Sequence, residues 1–307
     1  MRVLVTGASG FVGRHVSRLL QDCGEDVIEW HFADLNDNRD TAIDLCDAAA
    51  VARQDLRKLD AVVHLAGLAQ VSRSFAEPAA YMTVNSTVVT NLFEALLGQS
   101  SFPRVLVVST GGIYAATTDV VTEGSRLDPS NPYVVSKMAQ ENLASYYAKR
   151  GFDVIIARPF NHIGPGQQPG FLVSDICSKI AELERRGGGT LTVGDLASSR
   201  DYTDVRDVAE AYRALINAGR SGETYNVCSG SSHTGEEIVQ MLRELAKVTI
   251  TPERAASLAR PTDASIVRAS SEKLHRATGW SPVIPLETTL AQTLDYWRSQ
   301  PAAGTVN

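Results

Sequence analysis

Arg2-Val-Leu-Val-Thr-Gly-Ala-Ser-Gly-Phe-Val-Gly13 is the stretch that decides the fold, because a short apolar run meets three glycines in the spacing Gly-x-x-Gly-x-x-Gly. An apolar helical stripe follows and ends near Gly24. Strand, glycine turn and helix in this order predict a dinucleotide-binding unit. Gly7 permits the tight turn, Gly10 lets the backbone approach a pyrophosphate at the helix N-terminus, and Gly13 lets helix and strand pack closely.

A second strand is expected over Asp26–Phe32, and the residue at its end should choose between the two nicotinamide cofactors. An acidic residue there binds the ribose 2′-hydroxyl of NADH, whereas a basic residue suits the 2′-phosphate of NADPH. The strand ends in Trp30-His-Phe32, with Asp34 slightly late and Arg39 later still. The sequence therefore leaves NADPH or NADH open as the cofactor.

Two further buried strands should end at the same crevice. Residues 60–67 run from a strand into the small residues of Leu65-Ala-Gly67, which permit close approach to phosphates and ribose. Residues 104–109 form the next parallel strand, and Ser109-Thr110 lies at its carboxyl end, which faces the ligand crevice. Between these strands, the apolar period predicts one long helix over residues 72–98.

The stretch Asn131-Pro-Tyr-Val-Val-Ser-Lys137 carries the proton chemistry. Asn131 is a good helix cap and Pro132 suits the first helical position, so Tyr133 and Lys137 should share one face of a helix. A phenol titrates near pH ~10, and a nearby ammonium can lower that pKa. Because Tyr-x-x-x-Lys arises by chance about one time in six at this composition, the pair needs support from its surroundings.

Composition excludes several classes of protein. The chain has 307 residues, of which 44% are hydrophobic and 21% charged, and these are globular values. Its formal charge of -6 argues against a nucleic-acid partner, which would need a basic face. Its four cysteines have no metal-like or redox-like spacing, so we expect no metal and a reduced, cytoplasmic protein. No stretch approaches a membrane span or a signal peptide, and residues 300–307 are predicted to be a disordered tail.

The glycine spacing and the Tyr-x-x-x-Lys motif resemble the extended short-chain dehydrogenase/reductase superfamily. The resemblance implies an α/β fold, a Rossmann-type doubly wound parallel sheet over residues 1–160. Residues 161–299 would form mainly a smaller α/β region for the substrate, with some segments returning to the first domain. It also implies a homodimer that pairs the 72–98 helix and the Tyr133 helix of each copy.

The resemblance also assigns the site residues. Thr110 takes the place of the family's catalytic Ser or Thr, beside Tyr133 and Lys137. Asp44-Leu45 resembles the acidic dipeptide set against the adenine ring, although Asp44 is an equally good helix-capping residue. The implied cofactor contacts are Gly7, Gly10, Phe11, Val12, Gly13, Asp44, Leu45, Leu65, Ala66, Gly67, Ser109, Tyr133, Lys137 and Pro159.

Three stretches of the second half resemble one branch of the superfamily, the GDP-4-keto-6-deoxy-D-mannose reductases and their 6-deoxytalose-forming siblings. These stretches are Phe160-Asn-His-Ile-Gly-Pro-Gly-Gln167, Arg200-Asp201 with the segment that follows, and Tyr225-Asn-Val-Cys-Ser-Gly230. The implied substrate is a nucleotide-diphosphate sugar, GDP-linked in this branch. Its implied contacts are Thr110, Asn161, Arg200, Arg260 and Asp263. His162 is interpreted as a loop residue, because the Tyr-Lys pair already supplies the proton chemistry.

Three reactions share this scaffold. A 4,6-dehydratase needs an acid and a base, which that family places directly after the Ser/Thr, whereas this chain has Gly111-Gly112 there. A reductase that exchanges NAD(P)H at each turnover is therefore the favoured interpretation. A 4-epimerase with tightly bound NAD needs no further acid or base, so it stays open. A non-catalytic cofactor-binding sensor is less favoured because both Tyr133 and Lys137 are present.

Overall fold

The computed structural model describes residues 1–32, 42–99, 101–255 and 268–301. Its strands are β1 Arg2–Thr6, β2 Asp26–Phe32, β3 Ala42–Ile43, β4 Ala61–His64, β5 Arg104–Val108, β6 Asp153–Pro159, β7 Asn161–Ile163, β8 Gly189–Val193, β9 Ser199–Asp204, β10 Thr224–Val227, β11 Ser232–Thr234 and β12 Ile250–Arg254. Its α-helices are α1 Phe11–Asp22, α2 Ala48–Ala52, α3 Val71–Ala76, α4 Pro78–Leu96, α5 Pro132–Lys149, α6 Leu172–Arg186, α7 Val205–Ala218, α8 Gly235–Glu244, α9 Glu272–Thr278 and α10 Leu286–Ser299.

Seven parallel strands form the central sheet in the order β10-β6-β5-β4-β1-β2-β3. Its strands are almost continuously apolar because helices cover both faces. In β1, for example, Val3 and Val5 pack on the α1 and α7 side, whereas Leu4 packs on the side of α2, α4 and α5. This confirms the predicted doubly wound α/β sheet.

The prediction of one long helix over residues 72–98 is wrong in one respect, because the structure has two helices there, α3 and α4. The chain leaves α3 at Glu77 and enters α4 at Pro78, which occupies the first turn of the new helix. Proline lacks the backbone N–H that a continuing helix needs, and it disfavours helical geometry in the residue before it. The break therefore follows from a single residue inside an otherwise regular apolar period.

A smaller region follows the main sheet. It contains the three-stranded sheet β11-β9-β7 and the pair β12-β8, packed with α6, α8 and α10 around a separate apolar core. Helix α7 and strand β10 return to the main sheet, and Leu274 of α9 joins the core beneath it. No helix in the described ranges is both long and apolar enough to cross a bilayer.

The register of the main sheet determines where ligands can bind. Thr6 pairs with His64, His64 with Val107, and Val108 with Ala157, so β1, β4, β5 and β6 end at one edge. In open parallel sheets, ligands occupy the crevice outside the carboxyl ends of the strands. The loops that follow these four strands are therefore the place to look for a site.

Candidate active site

The glycine turn between β1 and α1 is shaped by close backbone packing. Gly7 has a φ of 71°, and a Cβ built on it would lie 3.0 Å from the backbone N of Ala66. A Cβ on Gly13 would lie 2.2 Å from the carbonyl O of Gly7. Gly10 precedes α1 without a side-chain cap, so the first amides of the helix face the crevice. This cradle, with Phe11 and Val12 in the first turn, fits a dinucleotide pyrophosphate.

Asp44 and Leu45 lie at the end of β3. Asp44 is exposed, and its Oδ1 accepts a hydrogen bond of 2.8 Å from the backbone N–H of Cys46. Asp47, three residues later, is the residue that caps α2. The side chain of Leu45 is buried in the core, while its carbonyl accepts a hydrogen bond from Asn91. Asp44 thus forms a local turn, and its proposed contact with the adenine stays a prediction.

Asn85 is a buried polar residue in the long helical period of residues 72–98, for which the sequence analysis predicted no role. Its side chain accepts a 2.7 Å hydrogen bond from the backbone N–H of Leu68 and donates one of 2.8 Å to Ser136 Oγ. Ser136 in turn donates to the carbonyl of Tyr133. A Cβ on Gly67 would lie 2.7 Å from Asn85 Oδ1. Asn85 therefore joins the loop after β4 to the first turn of α5. The sequence signal that could have revealed this role is a single polar residue within an otherwise apolar helical stripe.

The N-terminus of α5 presents Tyr133 to the crevice. Asn131 Oδ1 accepts a hydrogen bond from Val134 N–H and Pro132 opens the helix, as the sequence predicted. Thr110 Oγ1 accepts a 3.1 Å hydrogen bond from Gly112 N–H, and the Thr110 hydroxyl lies near the Tyr133 phenol. Burial raises the pKa of Tyr133 to about 12, and the nearby Thr110 hydroxyl opposes that rise. The phenol is therefore protonated at neutral pH.

Lys137 lies one turn further along the same face of α5 and is buried. Its Nζ donates to the carbonyl of Val108 at 2.8 Å and to Gln140 Oε1 at 2.9 Å. Burial lowers the pKa of Lys137 to about 8, and the charge of Glu141 opposes that shift. The sequence interpretation had the ammonium lowering the pKa of Tyr133, but burial dominates that phenol in this structure.

His64 lies fully buried at the end of β4. Thr6 Oγ1 accepts from the backbone N–H of Ala66, so its own hydroxyl proton donates to His64 Nδ1 at 2.9 Å. Burial, with a further contribution from the charge of Lys137, lowers the pKa of His64 to about 3. The ring is therefore neutral and fixes the loop that meets the glycine turn, without adding a second positive charge near Lys137.

A buried polar network supports the catalytic helix from behind. Arg158 donates through Nε and Nη2 to the two carboxylate oxygens of Glu141, at 2.9 and 2.7 Å, and through Nη1 to Tyr114 Oη at 2.9 Å. Tyr114 donates to Asn226 Oδ1 at 2.6 Å. Because Glu141 lies one turn after Lys137, this network joins α5 to β6 and β10 directly beneath the site.

The two glycines after Thr110 have different surroundings. A Cβ on Gly111 would lie 2.8 Å from the ring of Phe160, whereas a Cβ on Gly112 would make only ordinary contacts, the nearest at 3.4 Å from Thr110 Oγ1. An acidic side chain at residue 111 therefore requires Phe160 to move. Packing thus adds a steric reason to the chemical one for disfavouring dehydration.

These surroundings lead to a matched pair of substitutions. We expect Gly111→Ala to destabilise the protein by about 1–3 kcal/mol, because the added methyl overpacks against an aromatic ring in the core. Gly112→Ala should have a much smaller effect, since its new methyl has room. Urea unfolding of both variants measures the difference, and equal midpoints for the two would contradict the packing described here.

Asn161 and Arg200 lie on adjacent strands of the second sheet, where β7 pairs with β9. Asn161 is exposed at the start of β7, and the guanidinium of Arg200 is partly buried and donates to the carbonyl of Ser199. Asp201, which the sequence analysis named as part of the Arg200-Asp201 motif but gave no role, accepts hydrogen bonds from the backbone N–H groups of Ser229 and Gly230. It thereby fixes the turn after β10. The positions predicted at Arg260 and Asp263 lie outside the described residues.

The remaining predicted contacts lie at the same edge of the sheet. Ser109 follows β5, where its backbone N–H donates to the carbonyl of Ala157 and its buried Oγ has no partner within the described structure. Pro159 ends β6 and is buried. His162 stacks on Phe11, with ring centroids 6.1 Å apart, and its Nδ1 donates to the carbonyl of Phe160. Burial lowers the pKa of His162, which suits a neutral loop residue.

Comparison with known proteins places this site in a family. Residues 3–228 match the model of the NAD dependent epimerase/dehydratase family. The GDP-6-deoxy-D-mannose reductase of Pseudomonas aeruginosa is 34% identical over 304 residues, which cover 97% of this chain and 98% of the relative. The GDP-6-deoxy-D-talose 4-dehydrogenase of Aggregatibacter actinomycetemcomitans is 32% identical over 249 residues, 80% of each chain.

A solved structure agrees with these sequence matches. RMD from Pseudomonas aeruginosa, complexed with NADPH, superposes with a TM-score of 0.87 at 34% identity and covers 97% of this chain and 99% of that chain. The match therefore includes the main sheet and the smaller region alike. The chain belongs to the NAD dependent epimerase/dehydratase family.

Proposed function

We propose that this enzyme reduces the C4 ketone of a GDP-4-keto-6-deoxyhexose, converting GDP-4-keto-6-deoxy-D-mannose to GDP-D-rhamnose with NADPH or NADH. The observation that carries the proposal is the protonated Tyr133 phenol beside the Thr110 hydroxyl, at the carboxyl end of β5. The two GDP-sugar enzymes among the relatives support the substrate class.

The proposed roles follow from what each side chain can do at the ketone oxygen. When bound, the nicotinamide supplies the hydride to C4. Reduction leaves negative charge on the C4 oxygen, and Tyr133, with its pKa of about 12, can give that oxygen its proton because an alkoxide is the stronger base. Thr110, whose Oγ1 is fixed by Gly112 N–H, is a preorganised hydrogen-bond donor for the same oxygen.

Lys137 is assigned to the ribose of the cofactor and to the phenolate that remains after the proton has left. It lies one helical turn from Tyr133 on the same face, and Val108 and Gln140 hold its ammonium in place. A nearby positive charge favours the ionised form of a phenol. The glycine turn and the loop after β4 are assigned to the pyrophosphate, as the fit of their backbones supports.

A 4-epimerase is the second candidate, since the same Thr-Tyr-Lys set would serve it. An epimerase must first remove a proton from a sugar hydroxyl, which requires the phenol to ionise. Burial keeps the phenol protonated at neutral pH, which is the state from which a reductase begins its cycle, whereas an epimerase begins from the phenolate. A non-catalytic sensor would have no need of the Thr110 hydroxyl beside the phenol.

Turnover with GDP-4-keto-6-deoxymannose tests the proposal. The protein is mixed with this sugar and either NADPH or NADH, the loss of absorbance at the reduced nicotinamide is followed, and the sugar product is identified. We expect cofactor oxidation and GDP-D-rhamnose. Copurified NAD with interconversion of two hexoses, and no oxidation of either added cofactor, would instead establish the epimerase.

The pH dependence of kcat/KM should report Lys137. Kcat/KM reflects ionisations of the free enzyme. Because burial lowers the pKa of Lys137 to about 8, the ammonium loses its charge as the pH rises through that value, and kcat/KM for reduction should fall on the alkaline side of it. Tyr133 stays protonated throughout this range. An alkaline limb that begins only above pH ~10, near the ordinary lysine pKa, would contradict this assignment.

We also propose the division of labour that the sequence suggested, in which residues 1–160 bind the cofactor and residues 161–299 mainly bind the sugar nucleotide. A homodimer formed through α4 and α5 is supported by exposed apolar side chains on these helices, namely Met82, Val135 and Tyr146. Light scattering that gives the mass of a single chain would contradict the dimer. The free state of Cys23, Cys46, Cys177 and Cys228 supports the proposed cytoplasmic location.

A further inference from the structure

Tyr81 is a fully buried aromatic residue that the proposed reaction does not use. It is 1% exposed and lies on α4, one helical turn before Asn85 and on the same face. Its ring meets the ring of Tyr133 edge-on, with the centroids 6.4 Å apart and the planes at 88°. This is a favoured arrangement for two aromatic rings. Helix α4 therefore contacts the catalytic tyrosine twice, at its ring through Tyr81 and at its backbone through Asn85 and Ser136.

The hydroxyl of Tyr81 is anchored at the start of α3. Its Oη donates to the carbonyl of Gln70 at 2.6 Å, and the same carbonyl accepts a hydrogen bond of 3.3 Å from the backbone N–H of Ser74 in the first turn of that helix. Burying the hydroxyl without this partner would be costly, so the bond fixes the far end of the ring. The Tyr81 ring is therefore held from both sides, by α4 at its Cβ and by α3 at its hydroxyl.

The break between α3 and α4 makes this anchor possible. Gln70 and Tyr81 are 11 residues apart, and a continuous helix would separate them by about 16 Å along its axis. Because the chain changes direction at Glu77 and Pro78, the Gln70 carbonyl instead comes within hydrogen-bonding distance of Tyr81. Pro78 thus contributes to the catalytic site from a distance, through the ring that it allows to be anchored.

The anchor also touches the smaller region of the protein. A Cβ built on Gly170 would lie 3.1 Å from Gln70 Nε2, so the Gln70 side chain lies against the loop that precedes α6. This loop is in turn fixed to α6, since Gly170 N–H donates to Asp175 Oδ1 at 2.7 Å. Contacts therefore run from the smaller region through Gln70 and Tyr81 to the ring of Tyr133.

We propose that Tyr81 is a positioning residue for the proton donor, and that its anchored ring holds the Tyr133 phenol at the angle from which the proton reaches the C4 oxygen. This inference rests on the proposed reductase function and deepens it by naming the residue that orients the donor. The Tyr133 ring is attached through two rotatable bonds, and the Tyr81 ring restricts its rotation from the side. Proton transfer requires the donor and acceptor atoms to lie within hydrogen-bonding reach, so a small rotation of the phenol slows the step.

Tyr81→Phe is the direct test, because it removes the anchor and keeps the ring. We expect kcat for reduction of the 4-keto sugar to fall by about 3–10-fold, less than the loss of about 10²-fold that a displacement of ~1 Å can cause. The solvent isotope effect on kcat should rise, since transfer of the proton becomes slower relative to the other steps. The dissociation constant of NADPH should stay unchanged. Steady-state kinetics in H₂O and D₂O and a fluorescence titration measure these quantities.

Tyr147→Phe is the matched control. Tyr147 is 2% exposed, and its hydroxyl donates to Glu94 Oε1 at 2.6 Å, so this variant also removes one short tyrosine hydrogen bond between α5 and α4. Because Tyr147 lies near the far end of α5 from Tyr133, the variant should leave kcat and the isotope effect unchanged. A second comparison separates positioning from general damage. In a Tyr133→Phe background there is no phenol to orient, so Tyr81→Phe should have no further effect on kcat.

Fluorine NMR of protein labelled with 3-fluorotyrosine tests the positioning without turnover. The Tyr133 resonance is identified by its absence in Tyr133→Phe, and we expect Tyr81→Phe to shift or broaden it while Tyr147→Phe does not. A Tyr81→Phe variant that left this resonance unmoved, kept full kcat, or lowered kcat by the same factor in both backgrounds would overturn the proposal. A natural protein that oxidises no NADPH would contradict the reductase function alone, because the resonance still reports the position of the Tyr133 ring.

Discussion

Tyr133→Phe should lower kcat for reduction of the 4-keto sugar by about 10²–10⁴-fold while leaving the dissociation constant of NADPH nearly unchanged. The substitution removes only the hydroxyl that is proposed to protonate the C4 oxygen. The ring keeps its edge-to-face contact with Tyr81, whose centroid lies 6.4 Å away, so the first turn of α5 should stay in place. Steady-state kinetics and a fluorescence titration with NADPH measure the two quantities.

Tyr296→Phe is the matched control, because Tyr296 lies on α10 in the smaller region and its ring packs edge-on against Trp297. It should leave kcat unchanged. If Tyr133→Phe retained full turnover, the proton would have to come from another group, and the proposed role of Tyr133 would be wrong. If it lost NADPH binding as well, Tyr133 would be acting mainly as a cofactor contact.

Glu141→Gln should destabilise the fold by about 3–5 kcal/mol, the usual cost of removing one partner from a buried ion pair. Glu141 and Arg158 are 8% and 7% exposed, and the guanidinium meets both carboxylate oxygens. An amide replaces one acceptor by a donor and leaves the Arg158 charge buried without compensation. Denaturant unfolding measures the loss.

Glu77→Gln is the control for this substitution, since Glu77 pairs with Arg73 on the surface and both side chains are largely exposed. Its unfolding midpoint should equal that of the natural protein, because exposed ion pairs contribute little. Glu141→Gln carries a second readout. The charge of Glu141 raises the pKa of Lys137, so its removal should move the alkaline limb of kcat/KM to lower pH. Unchanged stability with an unchanged limb would contradict both roles.

Local patterns in the sequence were sufficient to predict the main sheet and the cofactor turn. The apolar runs of β1, β4 and β5 need both faces covered, and Gly7, Gly10 and Gly13 have functions that depend on backbone geometry alone. The placement of Thr110 beside Tyr133 followed from the resemblance of motifs that lie 23 positions apart, and the structure brings the two side chains near each other.

The contacts that position Lys137 and set the pKa of Tyr133 could not be predicted from local sequence patterns. Lys137 donates to the Val108 carbonyl and to Gln140, and neither contact has a sequence pattern. The pKa of Tyr133 depends on how deeply the phenol is buried, which is a property of packing. The Glu141 and Arg158 pair joins residues on different elements, so only the assembled fold reveals that their charges meet.

The contact between Gly111 and Phe160 also bears on how enzymes of this family can diverge. A route from this chain to a dehydratase would have to install an acidic pair after Thr110, and the position of Gly112 is open to that change at once. The position of Gly111 is not open to it, because an acidic side chain there would occupy the volume of the Phe160 ring. Two substitutions, on segments nearly fifty residues apart in the chain, would have to arise together or through a destabilised intermediate. Packing behind the catalytic threonine thus makes the present reaction specificity difficult to lose by single mutations.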